Sequence, residues 1–320
     1  MVNEKQKGLA YSIQSFLCNA GSLVGFLFPF IFTWIGISNI APQGVVPDSV
    51  IYSFYIGAAI LILCVIYTTV KVKEMPPAEY AEYHGITEEE EKEKINMVKL
   101  LIKAPKAFWT VGLVQFFCWF AFMFMWTYTN GSVAANVFDA PTVETAVNGV
   151  SKVMLDTKSI QYQDAADWVG VLFAVQAIGS VLWAVCIPLF KDRKLIYSLS
   201  LVLGGLGFIS TYFVHNQYVL FISFLLIGCA WAAMLALPFT ILTNALSGGH
   251  MGTYLGLFNG TICIPQIVAA SLGGSILALF TPKGMLPPEI NMLVMAGVML
   301  IIGAVCVYLI KETKGEQTKA

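Results

Sequence analysis

The sequence predicts an all-α polytopic membrane protein, a bundle of eight transmembrane helices, and three observations carry that reading. Of 320 residues, 58% are hydrophobic and only 12% are charged, where an ordinary soluble domain is about a quarter charged. The apolar residues gather into runs of about 20 or more, the length that crosses a ~30 Å hydrocarbon core as helix. Lys and Arg divide unevenly between alternate connecting segments. A soluble enzyme, a disulfide scaffold and a disordered chain are excluded on composition. A net charge of −1 gives no basic field, so nucleic acid is not a partner and the lipid bilayer is.

The runs fall at about 9–34, 52–70, 108–129, 168–190, 195–214, 218–243, 253–280 and 291–310. The first is too long for the apolar region of a secretory signal. With the N-terminus in the cytoplasm, 15 of the 18 Lys and Arg lie on the inner side, and only Lys152, Lys158 and Lys283 lie outside. The positive-inside rule then puts both termini in the cytoplasm of an inner or plasma membrane. Residues 1–70 form two spans, 71–107 a charged cytoplasmic linker, 108–310 a six-span lobe and 311–320 a tail. In the linker, Thr87 and Glu90 fit a capping box, which predicts a surface helix from 88 to about 103. The external segment 130–167 is expected to be partly helical.

The seven cysteines lie singly in apolar runs, with no CxxC or Cys/His cluster, so neither a disulfide framework nor zinc is indicated and no cofactor is expected. There is no Walker A, GxSxG or HExxH motif, which leaves ATP-driven transport and hydrolysis without support. Gly21/Gly25 and Gly252/Gly256/Gly260 make four-residue stripes that predict close helix packing. Similar basic ends after the second and last spans suggest that spans one and two mirror spans seven and eight. Two six-helix repeats is a transporter architecture.

No Asp, Glu, Lys or Arg lies in the middle of any run. The polar groups at depth are uncharged: Gln14, Ser15 and Asn19 in the first, Gln115 in the third, Gln176 in the fourth, Asn259 and Gln266 in the seventh. Amides both donate and accept, which suits uncharged, hydroxyl-rich ligands such as sugars. Gln115, Trp119 and Trp126 share a helical face, so an indole could stack on a sugar while the amide reads hydroxyls. Asn259 and Gln266 share another. The competing reading for each amide is interhelical hydrogen bonding that only holds the bundle together, and for Trp126 an interfacial belt position. Pro238 and Pro265 each remove a backbone hydrogen bond and permit a bend of the kind that gates.

Trp231–Leu242, with Pro238 inside it, and then Met251-Gly252-Thr253-Tyr254-Leu255-Gly256-Leu257-Phe258-Asn259 and Ile264-Pro265-Gln266 resemble spans ten and eleven of the sugar–cation symporter branch of the major facilitator superfamily. Trp119-Phe120-Ala121 resembles its span seven, Gly8–Phe16 its span five, and Tyr52–Glu74 its span six. The resemblance implies a two-lobed helical fold equivalent to helices 5–12 of twelve, alternating access, and uptake of a disaccharide or glycoside with a cation, usually a proton. It also implies four further N-terminal spans, which in the family carry a coupling carboxylate. Together with the amides, indoles and prolines at depth, this reading expects Gln115, Trp119, Asn259, Gln266, Trp126, Gln14 and Asn19 at the substrate site, and Asp192, Arg193, Lys194, Pro238 and Pro265 at the gate. The inner loop Lys191-Asp192-Arg193-Lys194 departs from the family pattern in being shorter and lacking its glycine. The alternative is a membrane scaffold or assembly subunit that transports nothing. DNA upstream of Met1 separates the two: four more apolar spans in frame support the transporter, a nearby stop codon the scaffold.

Overall fold

The computed structural model describes residues 7–38, 46–73, 76, 79, 97–147, 150–246 and 251–310. In order the elements are α1 (Lys7–Trp34), α2 (Asp48–Lys71), α3 (Met97–Lys103), α4 (Lys106–Asn136), β1 (Thr142–Val147), β2 (Val150–Leu155), α5 (Ile160–Cys186), α6 (Arg193–Ser210), α7 (Leu220–Ala245), α8 (Met251–Phe258), α9 (Gly260–Phe280) and α10 (Ile290–Cys306). Among the described residues, seven helical stretches are long and apolar enough to cross a membrane: α2, α4, α5, α6, α7, α8 with α9, and α10. The expected count of eight is not reached by that measure. The remaining run does form the 28-residue helix α1.

Helix starts follow local chemistry. Proline at 105 supplies the extended residue before α4. The Ser159 hydroxyl accepts from Tyr162 N at 3.3 Å and starts α5. The Asp192 carboxylate accepts from Lys194 N at 3.0 Å and Leu195 N at 3.1 Å, satisfying two of the orphan donors of α6. Between α6 and α7, Asn216 Oδ1 accepts from the amides of Tyr218 and Val219.

The core lies in α4–α10. Phe122, Phe124, Met125, Leu172, Tyr197, Phe208, Phe224 and Ile227 are fully buried. Helix α4 packs along α10 and α9, α7 lies between α5 and α6, and α6 packs on α10. Helix α1 lies against α5 and α7, and α2 reaches the bundle through α1, with almost its whole surface exposed.

Glycine decides the closest crossings, at positions other than those expected. A Cβ at Gly228 of α7 would run into Gln176 O and Ser180 N of α5, and one at Gly179 into the Leu225 backbone. Gly205 of α6 and Gly297 of α10 face each other's carbonyl oxygens in the same way. By contrast Gly21, Gly25, Gly252 and Gly256 have, among the described residues, no atom where a side chain would stand, and Gly260 nearly none. The expectation that those stripes pack helices is therefore corrected. Four-residue spacing marks a smooth face without saying which neighbour covers it.

The segment 130–167 is partly helical, as expected, and also holds a hairpin that was not expected. Helix α4 runs on to Asn136, α5 begins at Ile160, and between them β1 and β2 pair antiparallel, Thr142 opposite Leu155 and Val143 opposite Met154. The alternating Thr-Val-Glu-Thr-Ala-Val and Val-Ser-Lys-Val-Met-Leu sequences favour pleated backbone, and Asn148-Gly149 between them is the strongest short hairpin signal a sequence carries. Of the surface helix expected from 88 to 103, α3 covers Met97–Lys103. Its first part, with the capping box, lies outside the described residues, as do residues 1–6 and the tail 311–320.

Candidate functional site

The centre of the bundle is built around a proline. Pro238 sits inside α7 and is buried. It has no N–H to give to the carbonyl four residues back, so Met234 O loses its helical donor. Gln115 of α4, fully buried, donates from Nε2 to that oxygen at 3.2 Å. One end of the amide thus mends the helix that the proline breaks. Its other end, Oε1, is buried with no hydrogen-bond partner among the described residues.

One turn along α4, Trp119 is 8% exposed, and its Nε1–H is likewise buried without a partner. Its indole meets Trp231 of α7 edge-on at 5.7 Å, and Trp126 at 6.4 Å. Trp126 meets Trp231 at 5.8 Å, and Phe122 closes the group at 4.9 Å from Trp231. Trp126 is 43% exposed, so the cluster opens on one side. Trp231 is the member that the residue pattern did not select. Its signal was present in the sequence as an indole seven residues before Pro238, the feature that fixes where α4 and α7 touch.

On the other flank of α7, α1 approaches the same stretch. Ser15 Oγ donates to Ala232 O at 3.4 Å, and Asn19 Nδ2 donates to Ser15 O at 2.6 Å, leaving the buried Asn19 Oδ1 without a partner. Gln14 is exposed. The expected residues on the seventh run sit apart. Gln266 donates to Ile262 O of its own helix at 3.0 Å, and Asn259 is exposed at the break between α8 and α9, where its backbone N–H is shared between Leu255 O and Gly256 O. Among the described residues, no hydrogen bond or ring contact joins Asn259, Gln266 or Gln14 to the indole cluster. Pro265 is buried within α9.

At the opposite end from the hairpin, Asp192 is exposed and its carboxylate caps α6, while Arg193 and Lys194 open that helix half-buried. Near the same end the Tyr254 hydroxyl of α8 donates to Leu100 O of α3 at 3.2 Å. Phe108 of α4 meets both Tyr254 and Phe258 edgewise, which ties the start of α4 to the start of the α8–α9 span.

Long apolar helices packed around an uncharged centre of indoles and amides define a multi-pass membrane protein. Residues 133–320, more than half of the chain, match the family model of the Major Facilitator Superfamily. The chain belongs to that superfamily and is a membrane transporter. No curated relative matches it.

Proposed function

We propose that this transporter is a secondary carrier of a disaccharide or other glycoside, coupled to a proton and working by alternating access, in a cell membrane with both termini cytoplasmic. The single observation that supports the sugar reading is the pair of unpartnered atoms on α4. Among the described residues, Gln115 Oε1 is an acceptor without a donor, and Trp119 Nε1–H a donor without an acceptor. A buried polar group left unpaired costs about 1–3 kcal/mol. A sugar hydroxyl both donates and accepts, so substrate hydroxyls suit one atom as well as the other. The three indoles beside them offer the flat apolar surfaces on which the C–H face of a sugar ring stacks.

On this reading Trp126, the exposed member of the cluster, meets substrate first. Rocking of the lobes, with α4 and α7 moving together in one of them, opens their shared face and brings the substrate to Trp119 and Gln115. Asn19 extends the site across α7, and Gln14, Asn259 and Gln266 line its approaches. Asp192, Arg193 and Lys194 stand at the cytoplasmic gate, where capping by Asp192 holds the two cations at the mouth. Pro238 and Pro265 supply the bends on which α7 and α9 move.

Radiolabelled disaccharide uptake into proteoliposomes tests this. Trp119→Phe keeps an aromatic face but removes the N–H together with the pyrrole part of the indole, and should raise KM about tenfold or more, one hydrogen bond plus some stacking surface. Gln115→Ala/Asn259→Ala should lose more. Uptake unchanged in both variants removes these groups from the site.

A further inference from the structure

Glu289 ends the turn between α9 and α10, at the hairpin end of the bundle, and occupies the N-cap position of α10. A carboxylate there would ordinarily cap the helix and gain from its dipole. This side chain makes no cap hydrogen bond. It turns instead onto α4, where its carboxyl fills the space over Gly131, so that a Cβ on Gly131 would land on the carboxyl itself. The slot exists because residue 131 has no side chain.

The slot offers no counter-charge. Within α9, α10 and α4 the sequence places no Asp, Glu, Lys, Arg or His except Lys106, at the far end of α4. The turn itself carries Lys283, which is exposed. The titratable group that faces Glu289 is the phenol of Tyr128 on α4, within electrostatic range and itself lying against Gly273 of α9. Among the described residues the carboxyl makes no ion pair or hydrogen bond.

We propose that Glu289 is a proton-binding site that fastens the α9–α10 turn onto α4: protonated, the carboxyl rests in the slot over Gly131, and ionised, it withdraws into water and releases the turn. A neutral carboxyl tolerates a dry, uncharged slot and an anion does not. Burial pushes the docked group up from the ordinary 4.5 to about 7. The sign follows: docking takes up a proton, so it is strongest below the undocked value of 4.5, weakens as pH rises toward about 7, and is then about two orders of magnitude less favourable.

Infrared titration of the protein in lipid tests this without any substrate, and so independently of the sugar reading. The wild-type minus Glu289→Gln difference spectrum should show one protonated-carboxyl C=O band that disappears with a midpoint near 7. Gly131→Ala fills the slot and should move that midpoint down by about one unit or more, toward the value of a solvated carboxyl. Two results overturn the proposal: no carboxyl in the difference spectrum titrating above about pH 6, or a midpoint that Gly131→Ala leaves in place. Glu289→Gln keeps shape and size, so the first result does not depend on Gly131→Ala folding.

Discussion

Replacing Trp231 by alanine should lower kcat/KM for disaccharide uptake by about thirtyfold, the equivalent of roughly 2 kcal/mol. This ring touches every other member of the cluster: Trp119 at 5.7 Å, Trp126 at 5.8 Å and Phe122 at 4.9 Å. Removing it takes away one stacking surface and lets the other two indoles turn. An aromatic pair contributes about 0.5–1.5 kcal/mol beyond its buried area, and here three such contacts are lost. Trp231→Phe keeps a flat apolar face and should recover most of the uptake. Because Trp231 is only half-buried, Trp231→Ala should still yield folded protein, which size-exclusion profiles and melting temperature will check. A uniform fall in protein yield with kcat/KM per folded molecule unchanged would mean that Trp231 only supports the fold.

Gly228→Val should have the largest effect on stability, about 3 kcal/mol or more, and should leave little monodisperse protein in detergent. The atoms that its new Cβ meets are Gln176 O and Ser180 N, backbone of α5 that no rotamer change can move aside. Helices α5 and α7 would have to separate along their length. Overpacking at a flexible contact costs about 1–3 kcal/mol, and a backbone obstacle belongs at or above the top of that range. The comparison variant is Gly256→Val. It belongs to the Gly252/Gly256/Gly260 stripe but has no described residue within reach of a new Cβ. It should change the melting temperature little. Equal losses from the two would contradict the crossing described for α5 and α7.

That pair of glycines shows where a membrane sequence stops being informative. In a soluble helix the apolar face points to the core, so the pattern reveals what packs against what. Here lipid and protein neighbours are equally apolar, and a small-residue stripe on α8–α9 looks as ready to pack as Gly179 and Gly228 do. Hydrophobic length was therefore legible, and the helices lie within a few residues of the expected runs for α7 and α10. Which faces meet was not. The turn to β structure after α4 was legible in Thr142–Leu155 and Asn148-Gly149, but a membrane reading weights hydropathy over alternation and passes over it.

The candidate site was legible in part for the same reason. Gln115, Trp119 and Trp126 share one helix, so helical spacing alone brings them together. Their meeting with Trp231 depends on Pro238, which frees Met234 O for Gln115 and so fixes how α4 and α7 face each other. No spacing rule within one helix contains that. Asn259 and Gln266, joined by spacing, are separated by environment: one lies exposed at a helix break and the other is hydrogen-bonded to its own turn.

The central claim is that an uncharged centre of indoles and unpaired hydrogen-bonding atoms receives a sugar. Intrinsic tryptophan fluorescence of the protein in lipid nanodiscs, titrated with a panel of disaccharides and glycosides, tests it most directly. The account predicts a saturable change in emission for at least one member, shifted to higher concentration in Trp119→Phe and largely lost in Trp231→Ala. A flat response across the panel, together with a saturable response to an ionic solute of similar size, would contradict it.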